Sequence, residues 1–338
     1  NLIGLPQTIF RLTDQHDLMV LEMGTNTRGE IRRLTQIAEP DFGLITNIGP
    51  AHLAGFGTMN AVREEKSDLI LNMPPSGVAI INLDDKAVAA VAEQWPGGKV
   101  TFSMSPNADV TVRDIEKHGS KGIGFLLVIG GNTQKVDMKI TGLHHVYNAM
   151  AAAAVAHAVR MDEKTIAEGL AAFRPISGRM ETVKLRNGVF LLNDSYNANP
   201  ASVREALMAL RDLKSSHNGF VFFGDMLELG AASEEMHRKI GMLIATIGVN
   251  ALFLQGDYSS ITAAGAKEGG LAPENIFFLS DKENGIDYLK AHLKKGDWIL
   301  VKGSRGMKME RIVTEICNQF GADSMNGQHK TMNRTGEH

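Results

Sequence analysis

Three polar side chains near the start of the chain could take part in binding a metal ion and a nucleotide. Glu22 ends the apolar run LMVLEMG, and an acid at the end of a parallel strand suits a magnesium ion beside a nucleotide. His52, in TNIGPAHLAGFG, follows the next apolar run and would lie beside Glu22 if the two strands were neighbours. Lys66 lies on the helical pattern VREEKSDLI. Taken singly, each has a more ordinary interpretation: a capping or ion-paired acid, a hydrogen-bonded histidine and a solvent-facing lysine.

A second candidate site is the segment LLNDSYNANPAS, residues 191–202. Its apolar run ends at Asp194, and Pro200 opens the helical pattern that follows, because a proline loses no hydrogen bond in the first turn of a helix. A buried strand, a polar loop and a helix in this order favour a ligand-binding loop. A simple turn is the alternative, since asparagine and proline are common there. The loop residues of interest are Tyr196, Asn197 and Asn199.

The composition limits the class of protein. A chain of 338 residues exceeds one ordinary hydrophobic core, so we expect two domains. The net charge of −3 argues against a dedicated nucleic-acid or membrane-surface binder, because neither polyanion would be attracted by the whole molecule. A single cysteine, Cys317, allows no internal disulfide, and we find no signal peptide or membrane-spanning run. We therefore expect a cytoplasmic protein that acts on small molecules and inserts into no membrane.

Apolar runs alternate with helical patterns along the chain, which predicts an α/β protein with parallel sheets. The strand-like runs of the first half are DLMVLEMG, DFGLITNIG and SGVAIINLDD, followed by three hairpin-like runs that form a small β insertion: DVTVRDIEK, GIGFLLVIGG and QKVDMKITG. An alanine-rich helix follows. Five more strands predict a second, doubly wound domain: GVFLLN, GFVFFG, NALFLQG, NIFFLS and DWILVKG. The predicted domains are residues 1–178 and 179–316, with a polar and mobile tail at 317–338.

Several of these segments occur together in an order that resembles the Mur ligase family over nearly the whole chain. They are LEMGTNTRGEI, TNIGPAHLAGFG with EEKSDLI, GLHHVYNAMAAAA, ISGRME, NDSYNANPAS, GDMLELG with His237 downstream, and VKGSRGMKME. The resemblance is closest to the members that join D-alanyl-D-alanine to a UDP-N-acetylmuramoyl-tripeptide in peptidoglycan synthesis. It implies a central ATPase-type domain, a Rossmann-like C-terminal domain, and ATP-driven amide formation through an acyl phosphate.

The resemblance also implies roles for residues of the first half. Glu22 and His52 resemble the magnesium ligands of the family. Lys66 resembles the lysine that these ligases carbamylate, which would convert a cation into a ligand for a second Mg²⁺. Asn148 resembles the residue that binds adenine, although His144-His145 stands where relatives usually have His-Asn.

In the second half the resemblance assigns Arg179 to the ATP phosphates, so that Lys66, His52 and Arg179 would be the catalytic residues. Asp194 resembles the strand-end carboxylate that accepts the ribose hydroxyls, and we expect it to be exposed and to matter little for folding. Tyr196, Asn197 and Asn199 would shape the loop that faces the nucleotide and the acceptor. The residues assigned to the muramoyl-peptide are Lys302 and Ser304. A hinge is expected at 177–181.

Three alternatives remain open. Another Mur ligase or a folylpolyglutamate synthase-like enzyme would share the ATP and metal residues but lack DSYNANP and GDMLELG in this form. A non-catalytic binding protein could be built from the same domains. A Rossmann dehydrogenase is disfavoured, because no G-x-G-x-x-G follows a strand and opens a helix. The third residue of the tripeptide, diaminopimelate or lysine, depends on the shape of the pocket.

A phosphate loop of the type G-x-x-x-x-G-K-[ST] occurs nowhere in the 338 residues. In the family this loop precedes the stretch that resembles residues 1–30. We therefore expect an N-terminally truncated chain that lacks both the loop and the UDP-binding N-terminal domain. Such a chain would be a monomer with little ligase activity alone, since most of the phosphate contacts would be missing.

Overall fold

The computed structural model describes residues 1–49, 53–279 and 282–322, and the chain divides into two compact units. The first unit comprises residues 1–139, 143–173 and 228–230. The second comprises 140–142, 174–227 and the chain from 231 onward. The main change of unit, between Phe173 and Arg174, lies close to the predicted domain boundary at residue 178, which stays a prediction. Across the described residues, no helix is both long and apolar enough to cross a membrane.

The first unit contains a six-stranded sheet in the order β1-β2-β3-β4-β5-β6. The first four strands pair in parallel, and β4, β5 and β6 pair antiparallel, which confirms the predicted hairpin strands and extends the same sheet with them. The sequence reading missed β3. The strands are β1 (Phe42–Ile45), β2 (Val78–Asn82), β3 (Gly98–Phe102), β4 (Val110–Lys117), β5 (Ile123–Ile129) and β6 (Asn132–Met138).

Helices that precede or follow the parallel strands cover this sheet, and apolar side chains of β1, β2 and their neighbouring helices form one core cluster. The long helix α6 is alanine-rich, as the sequence predicts, and buries Val146, Met150 and four of its alanines. The helices of the unit are α1 (Gly4–Ile9), α2 (Glu30–Ala38), α3 (Leu53–Phe56), α4 (Met59–Leu71), α5 (Lys86–Gln94), α6 (Leu143–Ala158) and α7 (Glu163–Ala172).

The predicted strand DLMVLEMG is wrong. Residues 17–23 contain no strand, and no described strand pairs with them. A strand needs a neighbour to satisfy its backbone N–H and C=O groups, and a local run of apolar residues supplies none. Val20, one of the residues that suggested the strand, is 92% exposed. Glu22 therefore follows an irregular segment in place of a strand end.

The second unit contains a second six-stranded sheet, in the order β11-β10-β9-β12-β8-β7. All pairs are parallel except β7 with β8, and the five predicted strands are present. The chain runs outward from β9 to β11 and then returns to β12 on the other side of β9, so the sheet has a switch point between β9 and β12. The strands are β7 (Glu181–Lys184), β8 (Phe190–Asp194), β9 (Gly219–Gly224), β10 (Ala251–Gln255), β11 (Ile276–Phe278) and β12 (Trp298–Lys302).

Five α-helices accompany this sheet in the part of the chain that the structure describes. Pro200 begins α8 as predicted, and Asn199 caps it in a capping box with Ser202. One core cluster joins inward-facing residues of β7 to β10 and of β12 to α11 and α12, including the stacked rings of Phe222 and Phe253. The helices are α8 (Pro200–Lys214), α9 (Ser233–Thr246), α10 (Ser259–Glu268), α11 (Lys282–His292) and α12 (Glu310–Phe320).

The predicted start of the C-terminal tail, at residue 317, is wrong. Helix α12 continues to Phe320, because Cys317 and Phe320 extend the apolar face of the helix and pack on the core. Ala322 then forms an isolated β-bridge with Leu185. The rest of the predicted tail, 323–338, lies outside the described residues.

Candidate functional site

The carboxyl edge of the second sheet is organised by an ion pair between Lys302 and Asp194. Lys302 ends β12 directly opposite Asp194, which ends β8, and the ammonium donates to the carboxylate. Lys302 is 2% and Asp194 8% exposed. Burial lowers the pKa of Lys302, while the carboxylate beside it acts in the opposite direction. Asp194 is therefore buried and structural, contrary to the exposed strand-end carboxylate that the sequence suggested.

The same two side chains fix the backbone around them. Asp194 Oδ1 accepts a hydrogen bond from the Met180 N–H at 3.1 Å, which anchors the residue next to Arg179. Lys302 Nζ donates to the Asn197 carbonyl oxygen at 3.0 Å. The loop after β8 and the segment before β7 are thus tied to one buried ion pair.

Ser304 continues this network. Its hydroxyl donates to the Ala198 carbonyl at 3.1 Å and accepts the Leu227 N–H at 2.8 Å. The Arg305 N–H donates to Asn197 Oδ1 at 3.3 Å. The structure therefore brings the predicted residues of loop 194–199 together with Lys302 and Ser304, although both of the latter are buried and hold the loop from beneath.

Tyr196 and Asn197 are the exposed residues of this loop, and Tyr196 carries the large side chain. Its side chain is 42% exposed, and the guanidinium carbon of Arg179 lies 4.3 Å from the ring centroid. Arg305 lies against the same ring, with its guanidinium carbon at 5.4 Å. Two arginines stacked on one exposed ring form a positively charged surface at the strand ends.

A buried histidine lies at the switch point of this sheet. His237 is fully buried, its Nδ1 lies 2.7 Å from the Ser233 carbonyl, and its Nε2 accepts the Met226 N–H at 3.0 Å. These contacts require the neutral ring with the proton on Nδ1, and burial lowers the pKa of the histidine accordingly. Asp225 lies 3.8 Å from Nε2, and burial raises the pKa of its carboxyl. His237 and Asp225 thus fix the loop that follows β9.

In the first unit, Lys66 lies on α4 and reaches the carboxyl end of the first sheet. Its Nζ donates to the Asn47 carbonyl oxygen at 3.2 Å, just beyond β1. Burial lowers the pKa of Lys66, and the carboxylate of Asp85 opposes this. Asp85 follows β2, caps α5 and accepts the Ile48 N–H at 2.8 Å. The predicted helix position is confirmed, and the lysine contacts the strand ends.

The start of α6 lies at the same edge. Burial raises the pKa of Tyr147, and the nearby carboxylate of Asp84, which follows β2, acts in the same direction. Asn148 is the next residue and is exposed. Burial lowers the pKa of His145 to about 3. Asn148 is thus available for a ligand beside a neutral imidazole, in keeping with its predicted position.

The described residues do not form the predicted metal site. Glu22 is exposed and makes no hydrogen bond or ion pair with any residue that the structure describes. His52 lies outside the described residues. In the described parts of the chain, no three histidine, cysteine, aspartate or glutamate side chains form a group that could hold a metal ion. The proposed metal set of Glu22, His52 and Lys66 stays a prediction.

The sequence reading missed three residues of these edges. Glu65 is 4% exposed and accepts hydrogen bonds from the N–H groups of Gly29 at 2.6 Å and Ile31 at 2.8 Å, so it caps α2 from another helix. Asp85 and Arg305 were also missed. Their signals were present, since Asp85 ends the strand run SGVAIINLDD and Arg305 lies within VKGSRG.

Comparison with known proteins assigns these two units to one family. Residues 1–156 match the Mur ligase middle domain, and residues 178–305 match the Mur ligase glutamate ligase domain. Two curated relatives carry the name UDP-N-acetylmuramoyl-tripeptide--D-alanyl-D-alanine ligase. The protein of Bacillus subtilis (strain 168) is 31% identical over 94% of this chain and 68% of its own length, and that of Escherichia coli (strain K12) is 33% identical over 94% and 69%.

A solved structure supports the same assignment. The crystal structure of MurF from Acinetobacter baumannii is 27% identical, superposes with a TM-score of 0.83, and covers 93% of this chain and 68% of its own. The chain thus spans about two thirds of the length of these relatives. Both matched domains, their order and the identity over almost all of the chain lead to one conclusion: this chain belongs to the Mur ligase family.

Proposed function

We propose that this chain carries the catalytic units of an ATP-dependent ligase that joins D-alanyl-D-alanine to a UDP-N-acetylmuramoyl-tripeptide. The observation that carries the proposal is the identity of 31% and 33% to two ligases of that name, each aligned over 94% of this chain. Two α/β units with polar side chains at the carboxyl ends of their parallel strands suit a nucleotide-dependent reaction. Cell-wall precursor synthesis is the corresponding process.

The reaction needs activation, because a carboxylate is a poor electrophile. The terminal carboxylate of the tripeptide attacks the γ-phosphorus of ATP and releases ADP, and the product is an acyl phosphate. The neutral amine of D-alanyl-D-alanine then attacks the acyl carbon, the C–O bond to phosphate breaks, and the amine loses a proton as the amide forms. Both steps demand positioning and charge neutralisation more than a protein nucleophile. The exposed guanidinium of Arg179, beside the strand ends of the second unit, agrees with that demand.

We propose that magnesium serves this reaction and that Glu22, His52 and a carbamylated Lys66 hold it. Lysine as an ammonium would repel the metal, whereas a carbamate offers the oxygen ligands that Mg²⁺ prefers. The surroundings of Lys66 fit this modification, because burial lowers the pKa of the lysine and so favours the neutral amine that reacts with CO₂. When bound, the metal would neutralise phosphate charge. Lys66 lies at 3.2 Å from a backbone carbonyl at the end of β1, which would fix its direction.

We assign the nucleotide contacts to Asn148 and Arg179. Asn148 is exposed at the start of α6 and offers an amide donor and acceptor to a purine edge. Arg179 has no carboxylate partner among the described residues, so its guanidinium is available to a phosphate. Asp194, Lys302 and Ser304 would act indirectly, because they are buried and hold the loop that bears Tyr196.

The test is a ligation assay with the complete gene product, ATP, Mg²⁺, D-alanyl-D-alanine and UDP-N-acetylmuramoyl-tripeptide. The expected result is the pentapeptide product together with one ADP per amide bond, with both tripeptides, diaminopimelate and lysine, offered in parallel. If product forms when a single amino acid replaces the dipeptide as the acceptor, the chain belongs to another ligase of the family. Nucleotide binding without any product would favour a non-catalytic binding protein.

A further inference from the structure

The surface formed by Arg179, Tyr196 and Arg305 is larger than the proposed phosphate contact requires. Arg179 alone could serve a phosphate, yet a second guanidinium lies within 5.4 Å of the centroid of the same exposed ring. Two like charges held on one small surface repel each other in the absence of an anion. The arrangement therefore favours a ligand that brings a second negative charge.

The local balance of charge points in the same direction. Lys302 also lies close enough to Arg179 for the arginine to lower the pKa of the lysine. Asp194 pairs with Lys302, and Glu310 lies 3.5 Å from Arg305. Among these five side chains, three cations thus stand against two carboxylates.

The backbone of Arg305 is also held in place before any ligand arrives. Its backbone N–H donates to Asn197 Oδ1, in the loop that bears Tyr196. The preceding residue, Ser304, bonds the Ala198 carbonyl of the same loop. These contacts tie the backbone of Arg305 to the loop that bears Tyr196, which limits how far the base of the arginine side chain can move away from the ring.

We infer that Arg305 binds the carboxylate of the dipeptide that the ligase reaction consumes. The inference rests on the proposed function and names the part of its site that recognises the acceptor. The amine of the dipeptide must reach the activated acyl carbon, so its far end, a carboxylate, is the group left for recognition. A guanidinium matches a carboxylate with two parallel hydrogen bonds. Glu310 partly neutralises Arg305, which suits a singly charged carboxylate better than a nucleotide phosphate.

The test compares D-alanyl-D-alanine with its C-terminal amide, which keeps the amine and loses the negative charge. Calorimetry on the complete gene product, with and without ADP and Mg²⁺, measures the Kd of each ligand for the wild type, Arg305→Ala and Arg305→Lys. The wild type should prefer the dipeptide to the amide by about tenfold or more, and Arg305→Ala should abolish that preference. Arg305→Lys should retain part of it, and ADP binding should not change.

The matched control is Arg311→Ala, which removes an equal charge from an exposed position of α12 that does not contact Tyr196. It should leave the preference intact. A wild-type preference that persists in Arg305→Ala overturns the inference and leaves the proposed function standing. Weaker ADP binding with an intact preference reassigns Arg305 to a phosphate and also overturns it. A wild type that binds neither the dipeptide nor the amide overturns the proposed acceptor, and the inference with it.

Discussion

Lys302 and Asp194 are register partners at the carboxyl ends of β12 and β8, and their side chains form a buried ion pair. The pairing follows from the strand order, because β12 inserts between β8 and β9 and brings Lys302 opposite Asp194. Each partner holds a further backbone group, the Met180 N–H and the Asn197 carbonyl. The pair therefore couples the stability of the sheet to the geometry of the loop that carries Tyr196.

Replacing Asp194 with alanine should destabilise the second unit strongly. The substitution leaves the Lys302 ammonium buried without its carboxylate, which costs about 3–5 kcal/mol of unfolding free energy. Urea unfolding measures the loss, followed by fluorescence of Trp298 on β12 in a Trp95→Phe background, so that only the second unit reports.

The matched control is Asp287→Ala, which breaks an exposed ion pair with Lys290 and should cost less than about 1 kcal/mol. The double variant Asp194→Asn with Lys302→Met should lose less than the sum of the single changes, because no buried charge remains. A cost for Asp194→Ala no larger than that of the control would mean that the ion pair does not support the fold.

Glu65 should be needed for the loop that leads into α2. Its carboxylate accepts the N–H groups of Gly29 and Ile31 and the hydroxyl of Thr25, so Glu65→Ala leaves the N–H of the buried Ile31 and that of Gly29 without this acceptor. We expect a loss of about 2–3 kcal/mol and faster amide hydrogen exchange at residues 29 and 31. The neighbouring Glu64 is exposed and provides the control, since Glu64→Ala should change neither quantity. Unchanged exchange in Glu65→Ala would contradict the capping role.

Much of the fold was predictable from local patterns. Most strands of the second unit are short apolar runs that end in polar or glycine-rich loops. Asn199 and Pro200 predict the start of α8. The segment 17–23 has a similar pattern and forms no strand, because strand formation depends on a neighbour that a local pattern does not contain. The short edge strand β7 was not predicted, because its sequence, ETVK, is only weakly apolar. It forms a strand because it pairs with β8.

The site was predictable by position and less so by role. The sequence placed Asp194, Lys302 and Ser304 at strand ends, where the structure has them. It could not show that the first two neutralise each other, since their pairing depends on the strand order across 108 residues. Arg305 was overlooked because its contact with Tyr196 is equally distant in sequence. The sequence therefore identifies polar residues at strand ends as candidate site residues. Their burial and their hydrogen-bond partners depend on the order of the strands in the sheet.

Lys66 should form a carbamate more readily than an exposed lysine. Burial lowers its pKa, so a larger fraction of the amine is neutral near pH 7 and can react with CO₂. Carbon-13 NMR of the protein in labelled bicarbonate should show a carbamate signal that Lys66→Arg removes. Lys86→Arg, at the exposed first position of α5, should leave the signal unchanged. A signal that survives Lys66→Arg would assign the modification elsewhere.

His145 should make the first unit sensitive to acid. Its pKa is about 3 in the folded chain, against 6.5 for an ordinary histidine, because burial and the neighbouring ring of His144 disfavour the charged form. Between these values the unfolded chain binds a proton that the folded chain does not, so unfolding free energy is lost as the pH falls from about 6.5 towards 3. Above pH 7 the histidine is neutral in both the folded and the unfolded chain, so this contribution to the unfolding free energy vanishes.

The variant His145→Asn removes the titrating group. Its unfolding free energy should therefore fall less than that of the wild type between pH 7.5 and pH 4.5, as followed by Trp95 fluorescence in a Trp298→Phe background. His157→Asn, nearer the other end of α6, provides the control and should keep the wild-type slope. Parallel pH curves for wild type and His145→Asn would show that this histidine is not held neutral by the fold.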